Sequence, residues 1–594
     1  MSSSTLEAAF ALLQQGRIAE AEAAARAAVQ SDPASVDALH LMGLVLARAG
    51  KRDEALAFLD RALERSPRHA ELLKNRAVVF SEAGRLEEAE RDLRRALQAQ
   101  PRFCAVLCLL GSVLHRQGRL EEARAAYRRA LAVDPGEPSA NYNLGTLHLA
   151  AGELAQALAL LERAVARSPG HADALGNLGL ALLQAGRDDE AIAAFASAVA
   201  ADPACATALN NWGNALKERG ELEEAAALLD RAIAAAPAFA EALNNRAGVA
   251  LEAGDLEGAE HFASRAALVN PRFAEARMSL AQVALRRRDF ERGWEGFEAR
   301  FETDPPLATW RPPALPRFER ADLGAGLRVA VWREQGVGDQ LLFATLLPEL
   351  AATGARPVVE LDARLVGLFR RNHPGIAFVG PEESAAAFAA CDRQLPLGSL
   401  PRLLRAQLAH FDRQPQALLR AQAQRVRAIR ERLGPGRWVA VSWRSFQGRG
   451  QRLREQRKSM PVEKLSRLLA IPGVRLLDLQ YGDVAAERAA FEAAHPGALT
   501  SLEGLDLFND FEGVLAAIEA CEALASVSNV TAHLAGVAGR RAWVMFTGAR
   551  APFHYWSGAP GSRSLWYPAV EIATDPASGQ WEGVVDAVAR ALAK

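Results

Sequence analysis

PGEPSANYNLGTLHLAAGELAQALALLERAVARSP occupies residues 135–169. Pro135 opens the stretch and Pro169 closes it. Seven further prolines keep the same 34-residue step: Pro33, Pro67, Pro101, Pro203, Pro237, Pro271 and Pro305. Small residues travel with them. The place of Gly145 is taken in other units by Gly43, Gly111, Gly179 and Gly213, with Ala77 and Ala247 in two more. That of Gly152 is taken by Gly16, Gly50, Gly84, Gly118, Gly186, Gly220 and Gly254, while Ala157 and Ala164 recur with equal regularity. Small side chains let two helices approach closely, a mid-unit glycine opens a turn, and a proline stops the second helix. The spacing therefore predicts two antiparallel helices per unit. Eight full units run from near residue 1 to Pro271, followed by a degenerate ninth that ends near Pro305 and gains aromatics in FERGWEGFEARF, residues 290–301.

This unit resembles the tetratricopeptide repeat, whose stacked helix pairs form an α-solenoid. Solenoids of this kind bind other proteins. Two residues before the small residue of each first helix stand Asn75, Asn143, Asn177, Asn211 and Asn245, with Leu41, Leu109 and Ser279 in other units. An amide both donates and accepts, so a ladder of them can grip an extended peptide backbone without reading its side chains. The plainer alternative is that each serves only the neighbouring repeats. The ladder resembles that of the protein O-GlcNAc transferases, where such asparagines hold the acceptor polypeptide.

The 594 residues exceed what one core accommodates, so several domains are expected. Half of them are hydrophobic, 24% are charged and the formal net charge is −1, which speaks against nucleic acid as a partner. Cys104, Cys108, Cys205, Cys391 and Cys521 form no CxxC pair and read as free thiols. The start, MSSSTLEAAFALLQQGR, lacks the pattern of a secretory signal, and no apolar run approaches ~20 residues. A cytoplasmic protein with no membrane span is expected.

After Pro305 the period stops. TDPPLATWRPPALPRF (303–318) reads as a semi-rigid connector, which gives a superhelix over 1–304 and a proline-rich linker over 305–325. Beyond it, strands at 327–332, 357–361, 376–379, 438–443, 474–480, 523–527 and 542–546 alternate with helices. Such alternation predicts parallel α/β sheets with ligands at the carboxyl ends of strands. Two Rossmann-like lobes follow, over 326–435 and 436–594, on either side of a polar helical stretch near 402–436. Three segments carry candidate chemistry. WREQGVGDQLLF (332–343) sets Gly336, Gly338 and Asp339 between a strand and a helix, where Asp339 serves either ligand or helix cap. SWRSFQGRGQRLREQRKSMP (442–461) is a cation-rich loop suited to phosphate or simply solvated. LASVSNVTAHLAGVAGRRAWVMF (524–546) places Asn529, Thr531 and His533 at a helix start, where an anion is favoured, although a lone histidine is more often structural.

Taken together, EQGVGD before a helix, then VSWRS and KSMP, LDLQYGD (477–483) and SNVTAHLAG (528–536) resemble the bacterial tetratricopeptide-repeat glycosyltransferases. Their catalytic half is similar to the heptosyltransferase type of GT-B fold, and the resemblance extends to the soluble flagellin glycosyltransferases. It implies an inverting, metal-independent transfer from a nucleotide sugar to Ser or Thr of a bound protein, with no other cofactor. In the narrower reading a CMP-nonulosonic acid is the donor and flagellin the acceptor. Asp339 matches the general base of the first lobe. Trp443, Arg444, Lys458, Gln480, Tyr481, Asp510, Asn529, Thr531, His533 and Gly536 would hold the donor in the second. Ser528 stands where many relatives have Asp. No DxD occurs in this half, so a metal clamp on a diphosphate is not expected. Two other functions compete: a non-catalytic scaffold, and a transferase whose acceptor is a saccharide.

Overall fold

The computed structural model describes residues 2–303, 313–445, 458–547, 556, 562–575 and 580–594. From Ser2 to Phe297 it consists of nine successive helix pairs, the ninth formed by Ala274–Arg286 and the short Phe290–Phe297. The small first-helix residues are needed for contact. A Cβ at Gly111 would come within 2.5 Å of the Tyr127 ring on the paired helix. The mid-unit glycines all take positive φ, between 74° at Gly16 and 90° at Gly220, a conformation that costs other residues about 1–2 kcal/mol.

The ninth pair lacks its turn glycine, and the chain still takes the same conformation there: Arg288 has φ 65°. Its side chain is exposed. Arg288→Gly should therefore relieve strain without losing packing and stabilise the protein by about 1 kcal/mol. An unchanged or lowered denaturation midpoint in urea would refute this.

By packing, the chain divides into two compact units, Met1–Asn211 and Trp212–Lys594. The boundary expected at 304 falls inside the second unit, for a physical reason. Leu285, Phe290 and Trp294 of the ninth pair are buried in the same apolar cluster as Val329, Phe343 and Trp566. The described part of the expected linker is docked as well. Phe318 is fully buried, its N–H donates to the Gln394 carbonyl at 2.8 Å, and Gln394 N–H donates to the Pro316 carbonyl at 2.9 Å. Residues 316–318 thus pair with the edge strand at Gln394, so this part of the segment is held against the sheet, while 304–312 lie outside the described residues.

Two all-parallel sheets make up the rest of this unit. The first holds β1 (Arg328–Trp332), β2 (Arg356–Glu360), β3 (Ala377–Val379) and β4 (Arg393–Pro396) in the order β3-β2-β1-β4. The second holds β5 (Arg437–Ser442), β6 (Val474–Asp478), β7 (Leu499–Thr500), β8 (Ala523–Val527), β9 (Ala542–Phe546) and β10 (Val570–Thr574) in the order β10-β9-β8-β5-β6-β7. In each sheet the chain runs outward to one edge and returns to the far side of its first strand. The order reverses between β1 and β4, and again between β5 and β8. Ligands of parallel sheets bind at the carboxyl ends of strands at such reversals. The three segments singled out in the sequence follow β1, β5 and β8.

Candidate active site

Gly336 caps the helix Val337–Ala344, and Asp339 is its third residue, with no capping bond to its side chain. The reading of Asp339 as a helix cap is therefore wrong. No hydrogen bond to its carboxylate occurs among the described residues. The helix Val337–Ala344 packs on Val530–Val537, which follows β8, so the two reversal points meet. The approach is close: a Cβ on Gly338 would lie 2.9 Å from His533 Cδ2. Asp339 is half-buried. Burial, and then the charge of Glu334, raise its carboxyl to about 7, while Lys458 acts in the opposite sense. A carboxyl so placed exchanges a proton near neutral pH.

His533 is 4% exposed, and burial lowers its imidazole to about 3. It is neutral at pH 7, so any contact it makes with a donor is that of an uncharged imidazole. Its Nδ1 lies 2.9 Å from Tyr567 Oη, and its ring centroid lies 5.0 Å from that of Trp556. Trp556 Nε1 donates to Ser528 Oγ at 3.0 Å, so Ser528 fastens an indole.

Several residues expected to touch the donor are spent on the protein itself. Gln480 is buried and its Oε1 accepts from Ser442 Oγ, Trp443 N and Arg444 N at 3.0, 2.8 and 2.7 Å. Its Nε2 donates to the Tyr481 carbonyl at 2.7 Å, while Tyr481 itself stays partly exposed. Asn529 caps its helix through Ala532 N and donates to Ser442 Oγ at 2.7 Å and to the Arg444 carbonyl at 3.0 Å. The two amides pin the loop after β5 from both sides. They shape a site without offering it side-chain donors, and Ser442, which sequence reading passed over, joins them. The Trp443 ring is fully buried with Nε1 donating to Glu487 at 2.7 Å, which corrects its assignment as a ligand contact. Thr531 is 2% exposed, and Gly536 has no room for a side chain because Tyr567 would lie 2.5 Å from its Cβ. Asp510 caps Phe511–Ala520 and holds Arg425 bidentately, a structural role. Arg444 remains partly exposed, its guanidinium oriented by Glu487 at 3.0 Å. Residues 446–457 of the basic loop lie outside the described residues. What converges is therefore Asp339 and Lys458, beside the pinned loop and the helix start at Asn529.

The asparagines of the repeats are partly exposed at one register, and four make bonds that can be named. Asn75 Nδ2 lies 2.6 Å from His40 Nε2, and Asn177 donates to Thr146 Oγ1 at 3.0 Å, each in the preceding repeat. Asn143 donates to the Ser139 carbonyl of its own helix at 2.8 Å, and Asn211 Oδ1 accepts from Asn210 at 3.3 Å. Asn75 and Asn177 thus do bond to the neighbouring repeat, as the plainer alternative expects, though one bond does not exhaust an amide.

Glu334 and Arg300 escaped the sequence reading. Glu334 stands inside the glycine motif and Arg300 between Phe297 and Phe301, but no local pattern pairs the two. Among the described residues no helix is long and apolar enough to cross a membrane, and no group of three or more His, Cys, Asp or Glu is placed to hold a metal ion. A cleft of about 290 Å³ lies on the ninth helix pair, lined by Arg277, Leu280, Arg292 and Glu302 among others, and contains none of these candidate residues.

Tetratricopeptide-repeat family models match residues 3–27, 35–102, 111–152, 142–204 and 210–268, so the repeats are tetratricopeptide repeats. The chain is 32% identical over 321 residues to Protein FlbA of Caulobacter vibrioides, a match covering 50% of this chain and 52% of that one. It thus spans about half the length of this curated relative. Among solved structures it is similar to a chain of the APC/C hetero-tetramer (19% identity, 48% of this chain, 56% of that one, TM-score 0.39). It is also similar to YrrB, described as a tetratricopeptide-repeat protein with an unusual peptide-binding site (28% identity, 31% of this chain, 95% of that one, TM-score 0.27). The chain accordingly carries a tetratricopeptide-repeat scaffold, an architecture that binds proteins.

Proposed function

We propose that the protein is a glycosyltransferase of GT-B type that modifies Ser or Thr of a polypeptide held by its repeats, with flagellin as acceptor and a nonulosonic acid as the sugar in its narrower form. One observation carries the reading: the Gly338 turn of one parallel sheet meets the His533 helix of the other, with the Asp339 carboxyl tuned near neutrality at that junction. A general base is most effective when its pKa lies near the working pH. In the reaction the acceptor hydroxyl oxygen bonds to the anomeric carbon as that carbon's bond to the donor phosphate breaks. The hydroxyl proton passes to Asp339, and the nucleotide leaves with the electron pair. Lys458, Arg444 and the helix start at Asn529 offset the charge developing on the leaving phosphate.

Co-expression with a protein acceptor tests this. The acceptor's intact mass should rise by one or more sugar residues, and one of CMP, UDP or GDP should raise the melting temperature of the full chain. Replacing Asn143, Asn177, Asn211 and Asn245 together by Ala should cut modification severalfold and leave nucleotide binding unchanged, since each such bond nets about 0.5–1.5 kcal/mol. No added mass and no nucleotide shift would reduce the protein to a scaffold. Sugar added only to a saccharide would make the repeats an assembly module.

A further inference from the structure

A charged side chain just beyond the ninth helix pair reaches the glycine motif directly. Arg300 lies in the short 3-10 helix Glu298–Phe301 and is fully buried. Its guanidinium lies 4.4 Å from the Phe297 ring centroid and 4.2 Å from that of Phe301. All five N–H groups are used. Nε and Nη2 donate to the two Glu334 oxygens at 2.7 and 2.9 Å. Nη2 also donates to Ser399 Oγ at 2.9 Å, and Nη1 donates to the Phe297 carbonyl and to Glu298 at 2.9 Å each. Glu334 in turn accepts from Gly398 N–H at 2.7 Å, and a Cβ on Gly398 would approach its Oε1 to 2.6 Å. Downstream, Gln340 Nε2 donates to the Gln335 carbonyl at 2.9 Å, and Gln340 Oε1 accepts from Asp362 N–H at 2.8 Å. The turn that presents Asp339 is held at both ends.

We propose that Arg300 is a positioning residue of the transfer site: through its fork on Glu334 it fixes the Arg333–Gly338 turn and so the place and protonation of the Asp339 carboxylate. This rests on the reading of Asp339 as the reacting base. A bidentate arginine holds an orientation that a point charge cannot. The charges facing Asp339 are Glu334 from its own turn and Lys458 from beyond β5, while His533 opposite is neutral. The Glu334 charge disfavours ionisation of Asp339, so removing it lowers the pH at which the base becomes active.

The test uses the full chain carrying Arg300→Met together with Glu334→Gln, which removes both buried charges and leaves neither unpaired. Two readouts are taken: the pH profile of transfer, and carbodiimide labelling of Asp339 against pH by mass spectrometry, which needs no donor. Expected are a kcat at least tenfold lower with KM for the protein acceptor unchanged, and a labelling midpoint below that of the wild type, because the Glu334 charge that raises the Asp339 carboxyl is gone. An unmoved midpoint and unchanged kcat in a folded variant overturn the proposal. A shifted midpoint in a protein that transfers no sugar keeps the positioning role and rejects the glycosyl reading. If the double variant does not fold, Arg300→Lys decides. It keeps the charge and loses the fork, so kcat should fall with the pH limb in place, and full kcat would exclude positioning.

Discussion

Asp339→Asn should abolish transfer and, at the same time, make the protein harder to unfold. A carboxamide keeps the shape but cannot take the acceptor proton, so turnover should drop by about 10²-fold or more. The stability gain follows from linkage. The folded-state carboxyl is raised to about 7 from an ordinary 3.8, so the folded state holds its proton more tightly than the unfolded chain. The resulting stabilisation is present below the unfolded value and is lost as pH rises through about 7. Asparagine removes that loss. For a half-buried group the gain should be about 1–3 kcal/mol at pH 8, fading as pH falls toward 4. Chemical denaturation of both proteins at pH 8 and pH 4.5, with turnover at pH 8, checks both halves. Near wild-type turnover would remove Asp339 from the chemistry, and equal stability at both pH values would show that its carboxyl is not raised.

Trp294→Ala should be the most destabilising single change named here. Trp294 is 1% exposed, its Nε1 donates to the Arg405 carbonyl at 3.1 Å, and its ring meets Trp566 edge-on at 6.1 Å. Trp566 also packs on Phe343 at 5.9 Å and on Phe411 at 5.3 Å. Truncation opens a cavity where three parts of the chain converge and leaves a buried carbonyl unpaired, for a loss of about 3–5 kcal/mol. Because Trp294 belongs to this core, a fragment beginning at residue 307 should fail to fold where one beginning at 274 succeeds. A cooperative melt of the shorter fragment at the temperature of the longer would contradict it.

The repeats were legible because one residue type, at one spacing, does one job: glycine where φ is positive or where Tyr127 presses close, proline where a helix must stop. The seven strands read from the sequence are the interior ones and β3, whose β-branched and apolar runs report burial on both faces. β4, as RQLP, escaped because an edge strand of four residues tolerates Arg, Gln and Pro. β7 has only two residues, and β10, as VEIAT, breaks its alternation at Ala573 and carries a Glu at its second position. The site was legible as places and not as roles. A motif marks where a loop must be held, and Gln480 and Asn529 are polar because they hold it. Arg300 was hidden for the opposite reason, since no local pattern tells that a charge one motif away will be buried on Glu334.

The docking of Phe290 and Trp294 into the α/β core has a bearing on how such a chain can change over generations. Helix pairs that touch only their neighbours can be duplicated or deleted in steps of 34 residues, so the reach of the array is free to drift toward longer or shorter protein partners. The ninth pair is exempt. A crossover that grafted a foreign array at residue 304 would carry away Trp294 and Arg300 together, removing part of the core and the brace on Glu334 in one event. Viable exchanges must therefore fall upstream of residue 274, where the register is still that of an ordinary repeat.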